Sequence, residues 1–207
     1  MSTATPSTRI LTGKCRFSYP HLFQPHAVTE GGAEKYSVTL LIPKSDKETV
    51  GKISDAIAAA EKRGVSEKWG GKLPKVLRTP LWDGDGVRQN GDDFGDECKG
   101  HYVMTASSVM KPGIVDKNVE AIIDPAEIYA GMYGRVTLNF FPYEFNGNRG
   151  VGCGLNNVQK MADGESLGGM SSPSNDFTKL DDEGEPQAPE EPKAPTGRIN
   201  PITGQPM

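Results

Sequence analysis

The sequence predicts a small, mainly β barrel of about five strands with one prominent helix, followed by a disordered acidic tail, and three observations carry that reading. Apolar and polar side chains alternate with period two over several short stretches, one stretch has helical periodicity, and from residue 163 large apolar side chains become sparse. Composition agrees: 35% of the 207 residues are hydrophobic, against 25 glycines and 16 prolines, so the core is small and the chain turns often. This length suits one ordinary domain plus extra segments, since a domain takes on the order of 100–200 residues.

Residues 1–7 are polar, lack an apolar stretch, and are expected to be a flexible N-terminus. A strand is expected over residues 10–19. Residues 36–42 set Tyr36, Val38, Leu40 and Ile42 against Ser37, Thr39 and Leu41, the pattern of a half-buried strand. A helix follows, with Ser45 and Glu48 spaced as a capping box and Val50, Ile53, Ile57 and Ala60 on one face until Gly64. Another strand fits residues 101–107, and Asp124-Pro125-Ala126-Glu127 supplies a cap, a first-position proline and an acid for a short helical turn. In residues 135–143, Val136, Leu138 and Phe140 share one face while Arg135, Thr137, Asn139, Phe141 and Tyr143 share the other. Asn146-Gly147-Asn148 then marks a hairpin turn before Val151, Cys153 and Leu155, which alternate with glycines. Five strands are what an OB-fold barrel requires, so the ordered domain is placed at residues 8–162 as an OB-fold-like five-stranded barrel and the disordered tail at 163–207.

Charge divides at the same boundary. Residues 163–207 hold nine acidic side chains against three basic ones, a net charge of −6, whereas residues 1–162 hold 20 basic against 18 acidic, a net charge of +2. The whole-chain charge of −4 therefore does not exclude a phosphate backbone as partner, because the local potential over a groove decides. No run of about 18 apolar residues is present to span a bilayer, so a soluble protein is expected. Cys15, Cys98 and Cys153 are odd in number and far apart, and read as reduced packing residues of a cytosolic protein.

Aromatic side chains interleaved with cations are what a single-stranded nucleic-acid groove needs, since bases stack on rings while Lys and Arg neutralise phosphates. One such cluster is Lys14, Arg16, Phe17, Tyr19, His21 and Phe23; another is Arg135, Phe141, Tyr143, Phe145 and Arg149. The acid-rich loop with Asp83, Asp85, Asp92, Asp93, Asp96 and Glu97 invites a metal site, and with it a metal-dependent nuclease. Its spacing fails the calcium-loop template, because Val87 and Arg88 stand where an oxygen ligand and a glycine belong. A solvated hairpin connection is the reading favoured for that loop. No nucleophile elbow or phosphate-binding loop occurs, and no metal site is expected.

Several blocks together resemble the phage single-stranded DNA-binding proteins, a family long catalogued as a domain of unknown function. The blocks are Arg16-Phe17-Ser18-Tyr19-Pro20 with Phe23-Gln24-Pro25, then Lys35-Tyr36-Ser37-Val38 and Ile42-Pro43-Lys44, then Pro80-Leu81-Trp82-Asp83-Gly84-Asp85. The longest runs from Ile128-Tyr129-Ala130-Gly131 through Asn139-Phe140-Phe141-Pro142-Tyr143 to Gly150-Val151-Gly152-Cys153-Gly154-Leu155-Asn156-Asn157-Val158-Gln159. The resemblance implies an OB-fold that holds single-stranded DNA without strong sequence preference and protects phage replication and recombination intermediates. It also implies several molecules along one strand, in the cytoplasm of the infected bacterial host, with no catalysis and no cofactor. Arg16, Lys44, Arg78, Lys99, Arg135 and Arg149 are the residues expected to track the backbone, and Tyr19, Trp82, Phe141 and Tyr143 those on which bases stack. The acidic tail resembles tails that compete with DNA and recruit replication or recombination proteins, although here the acids lie inside the tail and the chain ends Gln205-Pro206-Met207. A structural or assembly protein of a phage is the alternative of a different class.

Overall fold

Closing a short sheet into a barrel removes its exposed edges, and the period-two pattern shows which faces turn inward. The computed structural model describes residues 7–27, 31–88 and 90–168. Its strands are β1 (Arg9–Leu11), β2 (Cys15–His26), β3 (Lys35–Pro43), β4 (Leu81–Asp83), β5 (His101–Ser108), β6 (Gly113–Val115), β7 (Tyr133–Phe145) and β8 (Asn148–Ala162), and its helix is α1 (Lys47–Glu67). Five of them form a ring: β7 pairs with β2, β2 with β3, β3 with β5, β5 with β8 in parallel, and β8 with β7. This is the OB-like barrel expected from the sequence, with β1, β4 and β6 as short additions.

The strand expected at residues 10–19 is broken. Thr12 still pairs with Val136 through its backbone N–H, at 3.0 Å, and its hydroxyl accepts the Val136 N–H, also at 3.0 Å. At Gly13 the chain then passes against the start of α1, where its N–H donates to the Thr49 hydroxyl at 2.8 Å and no Cβ would fit beside Asp46. The β7–β8 hairpin turns as expected, through Asn146 and Gly147 at φ 49° and 74° between the paired Phe145 and Asn148.

The helix lies between the second and third ring strands, but its ends differ from the expected ones. Asp46, not Ser45, caps it by accepting the Thr49 N–H at 3.0 Å, because a backbone turn from Pro43 O to the Asp46 N–H sets Asp46 at the entry. That hydrogen bonding, first from the Thr49 side chain, holds the Asp46 carboxyl below its ordinary range. The helix also runs past Gly64 to Glu67, since Gly64 serves packing and not termination. The Trp69 ring lies where a Cβ at position 64 would be, 2.5 Å from its nearest atom, and its indole N–H donates to Tyr143 O at 3.2 Å. Gly64→Ala is therefore expected to destabilise the fold by a net of about 1 kcal/mol, overpacking of about 1–3 kcal/mol outweighing the helix-propensity gain. Urea unfolding checks it; an unchanged or raised midpoint would refute the contact.

Phe17, Val38, Leu40, Met104, Val136, Leu138 and Phe140 fill the barrel, and Ile53, Ala56, Ile57 and Ala60 of α1 join that cluster. Phe17 thus belongs to the core and not to the nucleic-acid cluster in which the sequence set it. The three cysteines are free and buried. Burial pushes the Cys15 and Cys153 thiols up to about 12, which keeps them as packing residues.

Of the expected N-terminal and tail segments, residues 1–6 and 169–207 lie outside the described residues. Residues 163–168 are described and run along the barrel: the Tyr129 hydroxyl donates to Asp163 at 3.0 Å, and the Leu167 N–H to Ala130 O at 2.9 Å. Among the described residues no helix is long and apolar enough to cross a membrane.

Candidate nucleic-acid interface

Side chains that point away from the core on neighbouring strands meet in rows across the outer wall. One row joins Ser18, Thr39 and Thr105; the next joins Arg16, Leu41, Val103 and Trp82. The Thr39 and Thr105 hydroxyls are 2.9 Å apart and hydrogen-bonded. Leu41 and Val103, with Cys98, form a small apolar cluster against which Trp82, Phe94 and Leu167 pack. Leu41 was the signal for this patch, an apolar residue on the polar side of a strand.

Over these rows lies a groove of about 480 Å³, within the range of about 300–1,000 Å³ usual for ligand sites. Tyr19, Trp82 and Phe94 supply its rings, Arg88 and Glu97 its charges. A larger cleft of about 720 Å³ between β1 and α1 carries no aromatic side chain, so it offers a base nothing to stack on.

Tyr19 is 68% exposed and has φ 46°, at an irregularity in the β2–β3 pairing between Ser18 and His21. A tyrosine held there costs about 1–3 kcal/mol, and such strain collects at functional positions. Trp82 is fixed by β4, where it pairs with Val103. Arg88 and Phe94 belong to the acid-rich loop, which is a hairpin connection: Val87 bridges Asp93, and the Arg88 N–H donates to Asp92 O at 2.7 Å. That brings the Arg88 guanidinium to 5.1 Å from the Phe94 ring centre. Arg88, Phe94 and Glu97 were not singled out as groove residues by the sequence, because an acid-rich loop reads as solvated.

Two cations expected to track phosphates sit on the same loop's carboxylates. Lys44 pairs with Asp83 at 2.5 Å and Asp85 at 2.7 Å, and those hydrogen bonds push its pKa up to about 12 while holding both carboxyls low. Lys99 pairs with Asp96 at 2.6 Å. Among the described residues no group of three His, Cys, Asp or Glu side chains is arranged to hold a metal ion. Arg16 donates to Gly131 O at 3.3 Å and Glu165 O at 2.8 Å.

The remaining expected residues stand on a different part of the barrel, the outer wall of β7 and β8. Phe141 lies against Gly152, with ring atoms 2.7 Å from where a Cβ would be, and Tyr143 lies against Gly150 in the same way at 2.8 Å. The alternating glycines of β8 thus clear space for β7 rings that lie flat on the sheet. Arg135 bonds Gln159 at 2.7 Å, Arg149 pairs with Glu144 at 2.9 Å, and the Arg78 backbone bridges Arg149 and Val151. The structure therefore groups Arg16, Tyr19, Lys44, Trp82 and Lys99 at or beside the groove wall, and sets Arg78, Arg135, Phe141, Tyr143 and Arg149 on β7–β8.

Residues 8–187 match the family model described as the Enterobacter phage Enc34 ssDNA-binding protein. The putative protein p50 of Acyrthosiphon pisum secondary endosymbiont phage 1 is 31% identical over 176 residues, covering 79% of this chain and 90% of its own. The solved single-stranded DNA-binding protein from bacteriophage Enc34, in complex with ssDNA, superposes with a TM-score of 0.66 at 27% identity, over 81% of this chain and 97% of that one. The gp2.5 single-stranded DNA-binding protein of bacteriophage T7 shares the fold, with a TM-score of 0.55 at 16% identity over 87% of this chain and 98% of its own.

Proposed function

The chain belongs to the Enterobacter phage Enc34 ssDNA-binding protein family, and from that premise we propose that it binds single-stranded DNA along the β2–β3–β5 wall. The observation that carries this is the groove itself: the exposed Tyr19 ring and the half-buried Trp82 and Phe94 rings over a floor of strand side chains, on the face of the second and third ring strands that OB-folds use for oligonucleotides. Bases stack on Tyr19, Trp82 and Phe94, while Arg16, Arg88 and neighbouring cations neutralise phosphates. Binding protects strands exposed during phage replication and recombination in the host cytoplasm, with several molecules along a strand. The acidic tail competes for the groove or engages replication proteins. The role is binding and not catalysis.

A labelled mixed-sequence oligonucleotide titrated by fluorescence anisotropy over a salt series tests the proposal. With about four phosphates neutralised, log affinity is expected to fall against log salt with a slope near about −3, at about −0.7 per contact. A flat salt response, or no binding at low salt, overturns it.

A further inference from the structure

Stacking tolerates every base and by itself sets only modest preferences, so a preference that depends on one side chain of this groove has to come from what that side chain offers the base edges. The groove wall contains one carboxylate, Glu97. It is half-buried, makes no ion pair among the described residues, and accepts a hydrogen bond only from the weak Cys98 thiol, at 3.8 Å, among those residues. The carboxylate folds back over Gly95, into the space a Cβ there would occupy. The other edge-reaching groups discriminate little. The Thr39 and Thr105 hydroxyls donate and accept alike, and Arg88 finds acceptors on every base and on phosphate.

We infer that Glu97 is a specificity-determining residue that gives the groove a preference for guanine, then cytosine and adenine, over thymine. This rests on the single-strand reading of the same groove. An ionised carboxylate only accepts hydrogen bonds. Guanine presents N1–H and N2–H side by side, a two-point match; cytosine N4 and adenine N6 each offer an amino donor. Thymine offers a single N3–H between two carbonyl oxygens, which the carboxylate repels. A thymine in the groove therefore leaves a half-buried charge poorly satisfied, which is how a polar site rejects a ligand of the right shape.

The test is anisotropy titration of the full chain with equal-length oligothymidine, oligocytidine and an alternating guanine–thymine strand. The guanine-containing strand and oligocytidine are expected to bind about fivefold more tightly than oligothymidine. Glu97→Gln, whose amide both donates and accepts, is expected to narrow the difference to within about twofold, mainly by improving oligothymidine. Gly95→Ala, which moves the carboxylate off its seat, is expected to do the same, with thermal melting confirming that both variants fold. Equal binding of the three strands by the unaltered chain, or a preference that survives Glu97→Gln, overturns the assignment while leaving single-strand binding intact. Failure to bind any strand overturns the single-strand reading and the assignment together.

Discussion

Tyr19→Gly combined with Trp82→Ala is expected to weaken single-strand binding by about 2–6 kcal/mol, since each base–ring contact contributes about 1–3 kcal/mol. The two changes should affect the fold in opposite directions. Glycine at position 19 relieves a left-handed tyrosine at φ 46°, so Tyr19→Gly alone should raise the melting temperature while lowering affinity. Trp82→Ala removes part of the cover from the Leu41, Cys98 and Val103 patch and should lower both. Phe141→Ala and Tyr143→Ala serve as the contrast: their rings lie flat on β8 glycines, and each should change affinity by less than about threefold. Anisotropy and melting curves on the double variant, its two single-substitution counterparts and the two contrast variants decide the matter. A large loss from Phe141 or Tyr143 with none from Tyr19 and Trp82 would move the interface to the β7–β8 wall.

How much of this was legible in the sequence depended on the range of each interaction. The β3 and β7 alternations, the Asn146-Gly147 turn and the body of α1 are local, and all are readable from period and turn chemistry. Ring closure rests on contacts between residues far apart, such as the parallel bridge from Ser107 to Gly154, which no window of sequence shows. The break at Gly13 has the same origin, because that glycine answers to the distant Asp46 and Thr49. The extension of α1 past Gly64 turns instead on a partner close in sequence, Trp69, whose ring folds back onto the glycine in a way that glycine's helix-ending habit does not announce. In the groove, aromatic character pointed to Tyr19 and Trp82. It could not separate them from Phe141 and Tyr143, because one strand face differs from another only through what packs on it. Lys44 reads as a free cation until the acid-rich loop folds back and supplies Asp83 and Asp85, whereas Lys99 pairs locally with Asp96.

Removing residues 169–207 is expected to tighten single-strand binding about tenfold at low salt, about 1.4 kcal/mol, with the difference shrinking as salt rises. Those residues carry seven acidic side chains against three basic ones, a tethered polyanion that can occupy the same cationic positions as DNA. The site of the cut matters. Leu167 packs on the apolar patch below Trp82, and Glu165 O accepts from Arg16, so residues 163–168 belong to the wall that carries the groove. A cut after 162 exposes that patch and releases Arg16, and should lower stability by about 1–2 kcal/mol while also removing the acids. A cut after 168 removes the acids of residues 169–207 and leaves the wall covered. Anisotropy at two salt concentrations, with urea unfolding of both truncated chains, separates electrostatic competition from loss of packing. Affinity unchanged by the cut after 168 would exclude competition by the tail and leave it a role toward other proteins.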